Sequence, residues 1–276
     1  MKFQKPAGLI GAGGVNQSFL ARLPAVLAQL GPVKGSSLKV SRRIANGLGA
    51  GFGVNDYREL EPCGFIWILA PETALDCVIG ELASAVTLTG KTVVLCDALR
   101  DSLRPSPLRM AGARVVTLNC LPESSERKFV GEGNRTALAE LRKLLAADRR
   151  KLIELRPATK PLYFAGAYLG SQLLIPWIAG AAESFRAAGL SREEAVSVVE
   201  ALGVRALRAY AKAGDKAWNR ATAERLQRAI ARDLETLRFK DSRLAALFSD
   251  GSDRMLRFFA KPVRKERLKA LAQRSG

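Results

Sequence analysis

The chain has 276 residues, 48% of them hydrophobic, with a mean hydropathy of +0.01; it is long enough to bury a sizeable core and to hold about two domains. Its formal charge is +18, from 44 Lys and Arg against 26 Asp and Glu, which points to anionic partners, either a phosphorylated cofactor or nucleic acid. Histidine is absent and the four cysteines show no C-x-x-C spacing, which argues against zinc chemistry and Ser/His or Cys/His nucleophiles, and suits reduced thiols in a cytoplasmic protein.

The apolar run after Lys2 and Lys5 is too short for a secretory signal. A strand is expected at 8–10, ending in Gly11-Ala12-Gly13-Gly14-Val15-Asn16. Such a turn lets the chain bend at Gly11 and lets backbone approach a pyrophosphate at Gly13, while the next helix aims its free N–H groups at the phosphates. Asn16 stands where the third glycine of G-x-G-x-x-G is usual, and a flexible loop is the plain alternative. A helix follows at 17–30, kinked or split by Pro24, and then a strand at 32–35. Beyond it no acidic residue occurs before Asp56 to take a ribose hydroxyl. The chain offers Ser36, Ser37, Lys39, Arg42 and Arg43 instead, hydroxyls and cations suited to a 2′-phosphate, so the cofactor expected is NADP. A solvated basic helix start is the other reading.

Further strands are expected at 65–70, 92–96, 114–118 and 151–155, with helices at 41–48, 74–85 and 135–147. Ala70 and Pro71 close the strand at 65–70 with little side-chain bulk, leaving backbone for a flat ring to lie against. Asp97 and Asn119 each follow a strand, where a doubly wound sheet places ligands and where turns also favour such residues. The order βαβαβ implies an α/β fold with a mostly parallel, Rossmann-type sheet.

After residue 155 the pattern is helical throughout, giving an expected division into a dinucleotide-binding domain at 1–156 and an all-α domain at 157–276. Helices are expected at 162–188, perturbed near Pro176, at 191–210 with Ser191 and Glu194 as a capping box, at 222–237 and at 242–248. The most apolar stretch, 169–182, is broken by Gln172 and Pro176 and falls short of the ~20 residues of a membrane span. Lys160, before Pro161, is expected at the helix N-cap, where the dipole favours loss of its proton. The terminal cluster from Arg254 to Arg274 opposes many cations to Glu266 and also suits a solvated helix.

Gly11-Ala12-Gly13-Gly14-Val15, together with Lys160-Pro161-Leu162-Tyr163-Phe164-Ala165-Gly166-Ala167-Tyr168-Leu169-Gly170-Ser171-Gln172, resembles a family of Rossmann-like proteins with a helical C-terminal domain of unknown function. That family is related to pyrroline-5-carboxylate reductase and the 6-phosphogluconate dehydrogenase superfamily. The resemblance reaches to about Leu247 and rests on these two motifs. The family's second motif reads approximately K-x-x-Y-H-A-A-A-V-F-A-S-N; Lys160, Tyr163, Ala165, Ala167 and Ser171 match it. Phe164 replaces its histidine, Gln172 its asparagine, and Asn119 stands where a histidine is usual.

The resemblance implies an NADP-linked oxidoreductase and a helical domain that supports a homodimer. The expected reaction is hydride transfer to or from a small carbonyl or imine in the inter-domain cleft. Lys160 would give a proton or stabilise charge, and Ser171, Gln172 and Asn119 would hold the substrate. The alternative is an NADP-binding sensor or interaction protein without catalysis, which the missing polar groups favour. Nucleic-acid binding rests on charge alone, no nucleic-acid module being recognisable, and no membrane partner is expected.

Overall fold

The computed structural model describes residues 6–11, 17–103, 105–121, 128–218 and 220–259. They divide into two compact units that part between Tyr168 and Leu169. In the first, β1 (Ala7–Gly11), β2 (Leu30–Lys34), β3 (Phe52–Val54), β4 (Phe65–Leu69), β5 (Thr92–Cys96), β6 (Arg114–Cys120), β7 (Lys128–Gly133) and β8 (Lys151–Glu154) form one sheet in the order β3-β2-β1-β4-β5-β6-β7-β8. The strands from β1 to β6 pair in parallel, β7 pairs antiparallel with β6, and β8 runs parallel to β7. The parallel part has the Rossmann-type strand order, with its reversal between β1 and β4.

Between the strands run α1 (Gln17–Ala21), α2 (Pro24–Leu27), α3 (Leu38–Leu48), α4 (Glu72–Ala85), α5 (Ser106–Met110) and α6 (Arg135–Ala147). Side chains alternate across a strand, and both faces here are apolar because both are covered. Leu9, Val33, Trp67, Val94, Val116 and Phe129 pack with Phe19, Ile44 and Leu141 on one side. On the other, Ile10, Ile66, Ile68, Val93 and Leu95 pack with Leu75, Ile79 and Leu108.

Several elements differ from the sequence expectation. The helix expected at 17–30 is split at Pro24, which opens α2, and Leu30 already belongs to β2. Ser37 accepts a hydrogen bond from the Val40 N–H, so α3 starts at Leu38 rather than 41. The strands β3 and β7 and the short α5 were not anticipated: β3 has three residues around Gly53, and β7, Lys-Phe-Val-Gly-Glu-Gly, carries two charges and two glycines. Such segments carry no period-two signal.

Beyond β8, α7 (Lys160–Leu169) runs to the boundary between the units. Lys160 is its first residue, not a cap outside it. The second unit holds α8 (Ile175–Ala187), α9 (Arg192–Ala213), α10 (Arg220–Lys240) and α11 (Ser242–Phe259). The single helix expected at 162–188 is broken, because Ser171 leaves helical dihedrals at φ −136°, ψ −91°, and Pro176 lies in the first turn of α8, where no N–H is needed. Ser191 and Glu194 form the expected capping box of α9. Within this unit the Trp177 ring of α8 packs so closely on Gly251 of α11 that a Cβ there would collide with it. By length and composition, the 28 residues Lys160–Ala187 are enough to cross a membrane, with a mean hydropathy of 1.2 in their most apolar window.

Candidate active site at the carboxyl edge of the sheet

The carboxyl ends of β1, β2 and β4 lie side by side in the sheet, since Ile10 pairs with Lys34 and Gly11 with Leu69. Gly11 is buried at the end of β1, whereas Ala12, Gly13, Gly14, Val15 and Asn16 lie outside the described residues, as do Lys2, Lys5 and the cluster after Phe259. At the end of β4, Ala70 is half-buried and Pro71 exposed, the latter preceding α4 with extended dihedrals of φ −63°, ψ 152°.

The turn from β2 into α3 is tight. The Gly35 N–H donates to Ser41 Oγ at 2.8 Å, Ser41 Oγ donates to the Val54 carbonyl at 2.7 Å, and a Cβ on Gly35 would meet the Ser41 nitrogen at 2.9 Å. This leaves Ser36 and Ser37 exposed at the helix start, with Lys39, Arg42 and Arg43 exposed along its first turns. Lys34 is not among the residues expected to hold the phosphate. It is the last residue of β2, 9% exposed; its Nζ donates to the Gly35 carbonyl and lies 4.8 Å from the centroid of the Tyr57 ring. An ammonium thus stands about 20 residues after the glycines, where an acid would take ribose hydroxyls. A lysine ending a short apolar strand was the available signal.

A second group gathers after β5. Asp97 is exposed and holds a left-handed φ of 55°, a conformation that aspartate tolerates better than most residues, and its N–H donates to the Leu118 carbonyl at 2.8 Å. Lys160 is 1% exposed, and its Nζ donates to the carbonyls of Ala98 at 2.6 Å and Arg100 at 3.0 Å. Asn119, buried in β6, donates from Nδ2 to the same Ala98 carbonyl at 3.1 Å. Burial pushes the Lys160 amine down to about 8, against the pull of Glu132, Glu72, Asp101 and Asp97. Desolvation, not the helix dipole, is the leading cause.

The rest of that loop is held from its other side. The Leu99 and Arg100 N–H groups donate to Glu72 Oε1 at 2.7 and 3.3 Å, and Arg100 Nε donates to Glu72 Oε2 at 2.9 Å while its Nη1 pairs with Asp76. Burial raises the Glu72 pKa, but Arg100 and the two N–H groups outweigh it and hold the carboxyl below its usual range. Glu132 of β7, fully buried, accepts at Oε1 from the Ala158 N–H at 2.7 Å and from Ser102 Oγ at 3.4 Å. Among the described residues, Asn119 Oδ1, Glu132 Oε2 and the Tyr163 hydroxyl are buried with no hydrogen-bond partner. Polar atoms left so are what a water or a substrate group completes.

Of the expected substrate residues, Asn119 and Lys160 therefore converge on one carbonyl. Ser171 and Gln172 belong to the second unit, exposed, with Ser171 Oγ bonded to Gln172 Oε1. Phe164, in the histidine's place, lies with its ring centroid 5.7 Å from Lys160 Nζ.

No family model matches the chain, and no curated protein matches it in sequence. Solved structures match it in fold. An imine reductase variant from Myxococcus stipitatus in complex with NAD+ is 15% identical, with a TM-score of 0.65 over 94% of this chain and 100% of that one. An imine reductase from Bacillus cereus is 16% identical, with a TM-score of 0.62 over 91% and 94%. A pyrroline-5-carboxylate reductase from Coxiella burnetii is 14% identical, with a TM-score of 0.52 over 94% and 100%. The chain shares with them a Rossmann-type sheet followed by a helical region.

Proposed function

We propose that the chain is an NADP(H)-dependent oxidoreductase that moves hydride to or from a small carbonyl or imine substrate. The observation that carries this reading is the carboxyl end of β2, where Lys34, Ser36, Ser37, Lys39, Arg42 and Arg43 stand and no acidic residue occurs from Met1 to Asn55. That donor set fits a 2′-phosphate: hydroxyls and free N–H groups at a helix start accommodate an anion, and guanidinium groups add charge-assisted bonds. When bound, the cofactor supplies the hydride. Gly11, Ala70 and Pro71 would border its backbone-facing side, and the similarity in fold to imine and pyrroline-carboxylate reductases supports a carbon–nitrogen double bond as the acceptor.

Fluorescence titration tests the reading. The wild type is expected to bind NADPH well ahead of NADH, and the double variant R42E/R43E to lose about 10- to 100-fold for NADPH with little change for NADH, the loss of one or two charge-assisted bonds. Equal affinity for both dinucleotides, or for neither, overturns it. A catalytically silent NADP-binding protein is the second reading, favoured by the enclosure of Lys160 and the absence of histidine. Saturable NADPH binding with no oxidation across a panel of cyclic imines and small carbonyls would select it.

We further propose that the second unit pairs with that of a second copy. Leu169, Leu173, Ile175, Ile178, Val196 and Leu207 of that unit are exposed in the single chain, an apolar surface beyond what monomers usually leave open.

A further inference from the structure

We infer that Lys160 is a positioning residue, which by holding the carbonyls of Ala98 and Arg100 fixes loop 97–103 at the carboxyl edge of β5, and does so whether or not its amine is protonated. The inference rests on the proposed dinucleotide site for its functional meaning, but not for its geometry. A group that gives a proton to substrate must reach it; Lys160 is 1% exposed and spends two N–H bonds, at 2.6 and 3.0 Å, on backbone. An ammonium carries three hydrogens and a neutral amine two, which is the number the two carbonyls need. Loss of the proton therefore leaves the clamp intact.

The loop is tied at several polar points along its length. Asp97 N–H is held by Leu118, Ala98 O by Lys160 and Asn119, Leu99 and Arg100 N–H by Glu72, Arg100 O by Lys160, and Ser102 Oγ by Glu132. Leu103, at the loop's far end, is 45% exposed; the Asp97 side chain and the Leu99 side chain, 52% exposed, flank Ala98 beside the strand ends where the dinucleotide would lie. Lys160 acts on the site through Asp97 and Leu99. The ionisable groups around it come from each neighbouring element: Asp97 and Asp101 in the loop, Glu72 of α4, Glu132 of β7 and Cys96 of β5.

Hydrogen exchange read by mass spectrometry, with NADPH titration alongside, tests this. In K160M, amide exchange within 97–103 should speed up at least tenfold while β1, β4 and α6 keep their protection, and the NADPH dissociation constant should rise about five- to tenfold. In K160R, whose guanidinium can bond both carbonyls but cannot give up a proton, the loop should recover protection and affinity. In the wild type, protection of 97–103, corrected for intrinsic rates, should hold steady from pH 7 to 9.5, a measurement that does not depend on either variant folding. Unchanged loop exchange in K160M, loosening of the whole sheet to the same degree, or protection that collapses as pH passes 8 would each overturn the inference. A wild type that binds no dinucleotide while the exchange pattern holds would sink the proposed function and leave the clamp standing.

Discussion

A lysine buried on two carbonyls has a cost that depends on pH. Its folded pKa of about 8 lies below that of an unfolded lysine, near 10.4, so between those values the unfolded chain holds more protons than the folded one and stability rises with pH. Below pH 8 both states are charged and the penalty is constant. Urea denaturation of the wild type should therefore gain about 2 kcal/mol between pH 8 and 10 from this group, on a scale of 1.36 kcal/mol per pKa unit, and K160M should lack that slope. The sequence pointed to Lys160 for a reason that the fold replaces: Pro161 marked the helix start, but the carbonyls that hold the amine lie 60 and 62 residues away. Glu132 gave no such sign. Set between two glycines in β7, it reads as a surface turn, and only the return of the chain at Ala158 and Ser102 encloses it.

At the level of elements, legibility followed the strength of the local signal. The strand Thr92–Cys96 and the helix Arg135–Ala147 are long, periodic and bounded by turn residues, and both appear where the sequence placed them. The edge strand β3 and the antiparallel β7 depend on neighbours for their pairing, so nothing local announces them. The start of α3 lies between these cases, since Ser37 is a good N-cap but is followed by residues of no clear period. S37A should destabilise the first unit by about 1 kcal/mol in thermal or urea unfolding, by removing the Val40 N–H acceptor. It should also weaken NADPH more than NADH, because the same helix start carries the proposed phosphate contact.

For the molecule as a whole, composition announced an apolar, basic chain and left open what the apolar surface is for. The stretch Lys160–Ala187 has none of its most apolar window buried, yet it begins at a lysine fastened to the sheet and breaks at Ser171. The proposed pairing with a second copy would cover that surface without a lipid phase. Sedimentation velocity should show a dimer, and L169E/L207E should shift it to monomer while leaving the first unit's fold, read by NADPH affinity, unchanged. The change in composition at 156 and the change in packing at 168 are different boundaries, and the lysine clamp lies between them. A fragment stopped at 156 would keep every strand and still take the Lys160 donor from the Ala98 and Arg100 carbonyls and the Ala158 N–H from Glu132, leaving Ala98 with Asn119 and Glu132 with Ser102. Twelve residues further on, the Lys160 and Ala158 donors are retained, which makes the first turn of α7 part of the unit that holds the sheet.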